Sequence, residues 1–350
     1  MPALITGLDL GGAHLKAAQV TTDGRVVHAL QIPCALWRGL DRLEAALAEA
    51  AAALVPEGPV AVTMTGELVD LFPDRQAGVE ALLATLAAAW PDREPAVWAG
   101  AKGFVAREAV VPDEVASANW LATAALVARR VDQGVLVDLG STTTDIVLLA
   151  DGRPAAGATS DRDRLAAGEL VYVGLTRTPV MALAAEAPFA GRRVPLMNEF
   201  FATSADLFRI LGELPEAADQ HPAADNGEKT VAASARRLAR MLGADLGHAG
   251  MSDWRRLAGW LAQALLRRVE DALALQLSRG IVADTAPLIA AGCGRFLVGR
   301  LAGGRPCRDI LELIDCDPAA AAWAATCAPA VAVALLLAEA GTALPDRPAA

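Results

Sequence analysis

The chain is short of most features that settle a protein's class at sight. Its five cysteines, Cys34, Cys293, Cys307, Cys316 and Cys327, are odd in number and contain no CxxC pair. Neither a disulfide framework nor a zinc knuckle is expected, and a reducing cytoplasm is the natural compartment. Positive charge is in deficit: 31 Lys+Arg face 41 Asp+Glu, a formal net charge of −10. That balance repels a phosphate backbone, so no nucleic-acid partner is expected. Charged residues make up 21% against 54% apolar, which argues against disorder. Met1–Thr6 has no basic segment and Asp9 interrupts the apolar run behind it, so no secretory signal is expected. The twenty uncharged residues Ala319–Ala338 could span a bilayer by length. Pro329 cuts them, however, and Asp317-Pro318 reads as an N-cap followed by a first-turn proline. Two short buried helices are expected there, and no membrane partner.

What is present is an internal repeat. Leu4–Leu10 is an apolar run that ends in Asp9-Leu10-Gly11-Gly12 and passes through Ala13-His14-Leu15-Lys16 into a second apolar segment, then a turn at Asp23-Gly24. The pattern returns 129 residues later: Val135–Leu139 leads into Asp138-Leu139-Gly140-Ser141-Thr142-Thr143-Thr144-Asp145, the apolar Ile146–Leu149 and a turn at Asp151-Gly152. Both copies read as strand, tight loop, strand, Asp-Gly turn, strand. A loop that feeds a strand excludes the dinucleotide and Walker loops, which feed helices, and neither GxGxxG nor GxxxxGK[ST] stands in place. Glycines here let backbone N–H groups approach an anion, and the hydroxyls of Ser141, Thr142 and Thr143 add donors. Two plain β-hairpins with glycine turns are the bland alternative. With 350 residues the chain has room for two lobes, and the pair of loops would then face one cleft. Asp9 and Asp138 end the two central strands, and carboxylates beside a phosphate site need a cation between them. Mg²⁺, which takes one or two carboxylates plus water and phosphate oxygens, is the expected metal.

The two loops resemble the phosphate motifs of the acetate/sugar kinase, heat-shock chaperone and actin (ASKHA) superfamily. The second, Asp138 to Asp145, most resembles the hydantoinase A and acetone carboxylase branch. Leu288–Leu297, an apolar strand running into Gly292-Cys293-Gly294, is similar to the superfamily's third nucleotide-supporting element. The resemblance implies an α/β fold of two ribonuclease-H-like lobes around a central phosphate-binding cleft. The first lobe is expected over 1–125 and the second over 126–317, with a helical insertion around 198–260. C-terminal helices at 318–341 would pack back on the lobes.

Other residues carry weaker signals. Val60–Thr65 reads as a strand delivering Thr65-Gly66-Glu67, where the acid is either catalytic or a helix-start residue complementing the dipole. Leu43–Leu54 and Val79–Ala89 are helical by period. Lys102 is a second phosphate ligand or a solvated lysine, and Asn119-Trp120 opens a long helix toward Arg130. Gly168–Pro179 reads as a glycine-bounded strand containing Glu169, the lone Tyr172 and Arg177. A helix starting near Asn198 would put Glu199, Ala202 and Asp206 on one face. Those acids would hold a metal or an amine, or simply face solvent. Arg236, Arg237 and Arg240 would form a basic stripe on a later helix, free for a carboxylate or phosphate or paired with acids such as Asp206.

The middle of the chain narrows the resemblance. Asn198–Thr203, Asp206, Leu211–Pro215 and Ala235–Asp245 resemble the hydantoinase-A-like family encoded with tetrahydromethanopterin-linked one-carbon genes. Its archaeal members make a methanofuran precursor, and its bacterial members are linked to methylofuran. The similarity runs from Gly7 to about Gly341, with one departure: Asp225-Asn226-Gly227 stands where Asp-Gly is expected. The implied reaction joins 5-(aminomethyl)-3-furanmethanol diphosphate to the phenol of γ-glutamyltyramine, forming an aryl ether and releasing diphosphate. The partners are then two small molecules, and a homo-oligomer stays open. On that reading Asp9 and Asp138 hold Mg²⁺, and Lys16 stabilises the leaving group. Gly11, Gly12, His14, Gly140, Ser141, Thr142, Thr143, Gly292 and Gly294 bind phosphate. Glu67, Glu169 and Asp145, in falling order, are the candidate bases. Glu199 or Asp206 would take the substrate amine, and Arg177 or Arg236 the glutamyl end. Two rival readings keep the fold. In an ATP-dependent kinase or ATPase, Asp9 is the base and Gly292–Gly294 flank adenosine; the other rival is a non-enzymatic nucleotide sensor.

Overall fold

A computed structural model describes residues 3–55 and 57–341. The chain opens with β1 (Leu4–Leu10), β2 (His14–Thr21), β3 (Arg25–Pro33), α1 (Asp41–Ala53) and β4 (Val60–Met64). There follow α2 (Arg75–Ala89), β5 (Pro95–Trp98), β6 (Phe104–Val105), α3 (Pro112–Val115) and α4 (Asn119–Ala128). The repeat supplies β7 (Gln133–Leu139), β8 (Thr144–Ala150) and β9 (Arg153–Pro154), then α5 (Asp161–Ala167) and β10 (Leu170–Val171). After the hairpin β11 (Glu186–Phe189) and β12 (Arg192–Pro195) come α6 (Ser204–Leu211), α7 (Val231–Met241) and α8 (Met251–Leu277). The chain closes with β13 (Leu288–Ala291), β14 (Cys307–Asp309), β15 (Asp315–Cys316), α9 (Pro318–Ala324) and α10 (Ala328–Ala340).

One sheet has the order β15-β3-β2-β1-β4-β5-β6 and the other β10-β8-β7-β13-β14, with β9 also beside β8. In each, the first strand of the repeated hairpin is central; its hairpin partners lie to one side, joined there by β15 in the first sheet and β10 in the second, and β4-β5-β6 or β13-β14 lie to the other. This is the ribonuclease-H-like order, found twice as the repeat requires. In the first sheet β1 is antiparallel to β2 and parallel to β4. Chain contacts group Met1–Leu136, Leu148–Asp161 and Arg308–Ala350 into one compact unit and Val137–Val147 with Arg162–Cys307 into a second.

In the first unit the central strands are buried on both faces, which explains why apolar residues predominate in them without strict alternation. Leu8, Leu10 and Leu15 face a core shared with Leu43 and Leu47 of α1 and Leu82 and Leu86 of α2. Ile5, Ala18 and Val20 face the opposite way, toward Leu126 of α4 and Ala330–Leu337 of α10. Alanine-rich α10 lies unusually close to β1, since a Cβ on Gly7 would sit 2.0 Å from the Ala330 carbonyl oxygen. The uncharged C-terminal run is thus broken, as expected, into two helices. α10 is buried from Ala328 to Leu337, while α9, which packs on β3, is half exposed. Asp317 does flank α9, but its side chain pairs with Arg25 rather than capping the helix. Among the described residues no single helix is long and apolar enough to cross a membrane; α9 and α10 pass that test only as a pair bent by 117°.

In the second unit α6, α7 and α8 pack together. The chain from Asn198 is not helical until Ser204, so Glu199 and Asp206 do not share a helix face. Thr203 is the N-cap, and Asp206, at the third helical position, accepts from the Thr203 N–H at 3.0 Å. The glycine-bounded strand at 168–179 shrinks to two paired residues, because the rest wraps around the second loop of the repeat.

Candidate active site

The two loops are built by the same local bond. In the first unit the Gly11 N–H donates to the His14 carbonyl at 3.1 Å, and in the second the Gly140 N–H donates to the Thr143 carbonyl at 2.9 Å. These glycine amides therefore close the turns. Their lack of a side chain is what permits it, since a Cβ would lie 2.6 Å from the His14 oxygen and 3.2 Å from the Thr143 oxygen.

In the first unit Asp9 pairs across the strands with Lys16, and Lys16 Nζ lies 3.6 Å from Asp9 Oδ2. The period-two alternation puts both on the α4 face, where Asn119 Nδ2 reaches Asp9 Oδ2 at 3.4 Å. Asp9 is 1% exposed, and His14 is also buried. The segment after β4 closes over this loop: Thr65 and Gly66 both donate backbone N–H groups to the Leu10 carbonyl, at 3.1 and 2.9 Å. That brings Gly66 and Val69 against Gly12, with Glu67 next in the chain. Glu67 is buried, and its Oε1 accepts from Ser117 Oγ at 2.7 Å. Burial pushes its carboxyl above the usual glutamate range; the Ser117 bond opposes the shift and the charge of Asp161 adds to it. Ser117 in turn meets Asp161, which is paired with Arg75. Nothing in the sequence flagged these three partners, because none belongs to a motif. Lys102 pairs with Glu114 at 2.5 Å, away from this cluster of residues.

In the second unit the loop Gly140–Thr143 is held from two sides. Leu175 donates to the Gly140 carbonyl at 2.9 Å, Thr176 and Arg177 donate to the Ser141 carbonyl at 3.1 and 2.9 Å, and Arg177 Nη1 reaches Thr142 Oγ1 at 3.3 Å. Burial pushes the Arg177 guanidinium below the usual arginine value, with Tyr172 opposing. On the other side the Gly294 N–H donates to the Leu139 carbonyl at 2.8 Å. Gly292, at φ 83°, lies so close that a Cβ would stand 2.4 Å from Asp138 Oδ1. The structure thus gathers Asp138, Gly140, Ser141, Thr142, Thr143, Arg177, Gly292 and Gly294. The Gly174–Arg177 wrap, apart from Arg177 itself, is the part that sequence reasoning missed, and its clustered glycine and threonine residues were the available signal.

Two candidate bases of this unit are held in ion pairs. Asp145 meets buried Arg164 at 2.8 Å, and Glu169 meets Arg279 at 2.8 Å. Asp206 is enclosed: its Oδ1 accepts from Ser234 Oγ at 2.7 Å and from Arg237 at 2.9 and 2.7 Å. Arg237 has no exposed surface and also bonds Asp225 at 3.1 Å, so the expected basic stripe is split. Arg236 stays half exposed near Asp225, at 3.8 Å, and Glu199 is exposed in a bend. The asparagine that departs from the family pattern takes the turn's left-handed position, at φ 53°. Among the described residues no three His, Cys, Asp or Glu side chains cluster as a ready-made metal site. Mg²⁺ needs no such cluster, and carboxylates such as Asp9 and Asp138 are the hard oxygen donors that suit it.

A family model described as hydantoinase/oxoprolinase matches residues 59–340, which includes the second loop and leaves the first outside. A protein of Methanocaldococcus jannaschii named (4-{4-[2-(gamma-L-glutamylamino)ethyl]phenoxymethyl}furan-2-yl)methanamine synthase is 35% identical over 249 residues, 70% of this chain and 73% of that protein. A protein of the same name from Methanococcus vannielii is 34% identical over 94 residues, 27% of this chain and 42% of that protein. Among solved structures, nucleotide-free acetone carboxylase aligns with a TM-score of 0.55 at 9% identity, over 95% of this chain and 70% of the other. That likeness carries the fold alone, an α/β fold with two main sheets. With most of its length matched by the family model and by the archaeal synthase, the chain belongs to the hydantoinase/oxoprolinase family.

Proposed function

We propose that this protein is a transferase of methanofuran-type cofactor synthesis. It condenses 5-(aminomethyl)-3-furanmethanol diphosphate with γ-glutamyltyramine, forming the aryl ether and releasing diphosphate. The observation that carries this is the 35% identity, over 70% of the chain, to a synthase whose name describes such an ether. The repeated glycine loop, one copy in each unit, supports it, since a diphosphate leaving group calls for many polyanion contacts.

Breaking the C–O bond leaves negative charge on the diphosphate, while the furan ring shares positive charge with its methylene carbon. Lys16 and the donors of both loops stabilise the leaving charge, and one well-placed donor of this kind is worth about 3 kcal/mol. Asp9 and Asp138 would hold Mg²⁺, which when bound neutralises diphosphate charge. The attacking phenol ionises near pH 10 in water, so forming free phenolate at neutral pH costs about 4 kcal/mol. Glu67 is the base this reading favours: it is buried beside the first loop, while Asp145 and Glu169 are held by Arg164 and Arg279. Arg177, on the second loop, suits the glutamyl carboxylate. Water must be kept from the reactive carbon for the phenol to compete.

The test is incubation with Mg²⁺, the furan diphosphate and γ-glutamyltyramine, with mass-spectrometric detection of ether and diphosphate, beside an arm containing ATP. Ether with stoichiometric diphosphate is expected, and Asp138→Asn should abolish it without unfolding the protein. ADP formation without ether would replace this reading with a kinase or ATPase.

A further inference from the structure

Glu67, Ser117, Asp161 and Arg75 form a continuous chain inside the first unit. Ser117 Oγ lies 2.7 Å from Glu67 Oε1 and 2.9 Å from Asp161 Oδ2, and Arg75 Nη2 lies 2.9 Å from that same Asp161 oxygen. A serine hydroxyl has one proton and donates to one acceptor at a time. With both acids ionised, one of the two short O···O contacts would contain no hydrogen, setting a lone pair against a buried negative charge. The geometry closes only if one acid carries a proton. Asp161 is the acid paired with Arg75, so the proton is placed on Glu67, 1% exposed. Beside Ser117, the donor at the Glu67 carboxyl is the residue's own backbone N–H, and the second oxygen lies buried without a well-formed hydrogen bond, which suits the carbonyl of a neutral carboxyl and would penalise a carboxylate. Asp161 and Arg75 are the charged groups acting on Glu67 among the described residues. Ser117 itself is held at φ 50°, a left-handed conformation that a non-glycine residue rarely adopts.

We propose that Ser117 relays a proton between Glu67 and Asp161, and that this relay readies Glu67 to take the phenol proton in ether formation. The inference rests on the reaction proposed above. At rest Glu67 donates its proton to Ser117 Oγ while Ser117 donates to Asp161. Glu67's proton passes to Ser117 as the serine's own proton passes to Asp161, leaving a carboxylate at Glu67 and a carboxylic acid at Asp161. The phenol O–H then breaks as its oxygen bonds the furan methylene carbon, and the phenol proton restores neutral Glu67. Asp161, whose side chain is 17% exposed, releases its proton to solvent and pairs again with Arg75. One proton has left the phenol and one has reached water, with no electron transferred. Ser117 and Asp161 are positioning residues on this account.

Two measurements test it. Infrared spectra of the purified protein above about pH 5, where an ordinary glutamate is ionised, should show a protonated-carboxyl stretch that Glu67→Gln removes; this needs no substrate. In ether synthesis at neutral pH, Asp161→Asn should lower kcat about tenfold to hundredfold with little change in KM. Its rate should climb more steeply with pH than the wild type's, because Glu67 must then lose its proton without the relay. Ser117→Ala should do the same. No protonated-carboxyl band in the wild type would overturn the proposal, as would wild-type pH profiles in both variants. Should Ser117→Ala fail to fold, the Asp161→Asn profile decides. A wild type that shows the band yet makes no ether would overturn the reaction and the relay's purpose, while the shared proton would stand.

Discussion

Replacing Gly292 by alanine separates a local from a tertiary demand on one residue. Gly292 sits at φ 83°, where an alanine is strained by about 1–2 kcal/mol. The added Cβ would also stand 2.3 Å from the Leu139 carbonyl oxygen and 2.4 Å from Asp138 Oδ1, where ordinary contact begins at 3.4 Å. Relieving that overlap requires a shift of roughly 1 Å in β13 or β7, comparable to overpacking a core, which costs about 1–3 kcal/mol. Gly152→Ala is the control: its φ is similar, 71°, but nothing lies within 4 Å of the new methyl. Urea unfolding with an unchanged m-value should therefore show a loss of about 1–2 kcal/mol for Gly152→Ala and about 2–5 kcal/mol for Gly292→Ala. Because the strain is shared, the difference between the variants reads the contacts with Leu139 and Asp138 on the second loop. The first variant should also lose ether synthesis, since Asp138 must move, and the control should keep it. Equal losses in the two variants would refute the close packing of the Gly292 turn on the second loop.

Asp206→Ala should destabilise the protein by about 3–5 kcal/mol, because Arg237, with no exposed surface, would keep a buried charge without its main partner; a loss under about 1 kcal/mol in urea unfolding would contradict that burial. Burial pushes the Cys34 thiol up to about 11, so iodoacetamide near pH 8 should modify exposed Cys307 and spare Cys34 in peptide mass maps of the native protein. The raised Glu67 carboxyl makes a signed prediction as well. The folded state holds a proton that the unfolded state has lost, so its contribution to stability falls as pH rises from the ordinary glutamate value toward the raised one. Glu67→Gln removes that dependence, and its stability relative to wild type should improve steadily with pH across this window. A difference that stays flat with pH would refute a proton on Glu67.

The parts of the protein legible from sequence are those decided over short stretches of chain. Strand, glycine turn and strand at Leu4–Thr21 and again at Gln133–Ala150 follow from apolar runs and from a turn too tight for a side chain, and the equivalent Gly11 and Gly140 bonds show both copies obeying one rule. The break at Pro329 and the placing of Asp9 opposite Lys16 are of the same kind. Where reading by pattern failed, the deciding neighbour mostly lay far along the chain. A helical period missed the start of α6 at Ser204, though there the deciding cap, Thr203 with Asp206, is local. Nor could it tell Arg237 from Arg236, adjacent residues of which one is sealed against Asp206 and the other is half exposed. Glu67 looked like any acid after a strand. What makes it chemically distinct is Ser117, fifty positions away, and Asp161 beyond that. Backbone geometry is set by a residue and its near neighbours, so it can be inferred from their order. The charge state of a buried acid depends on which groups folding brings within about 3 Å and on how much water it leaves, and only the packed chain specifies those.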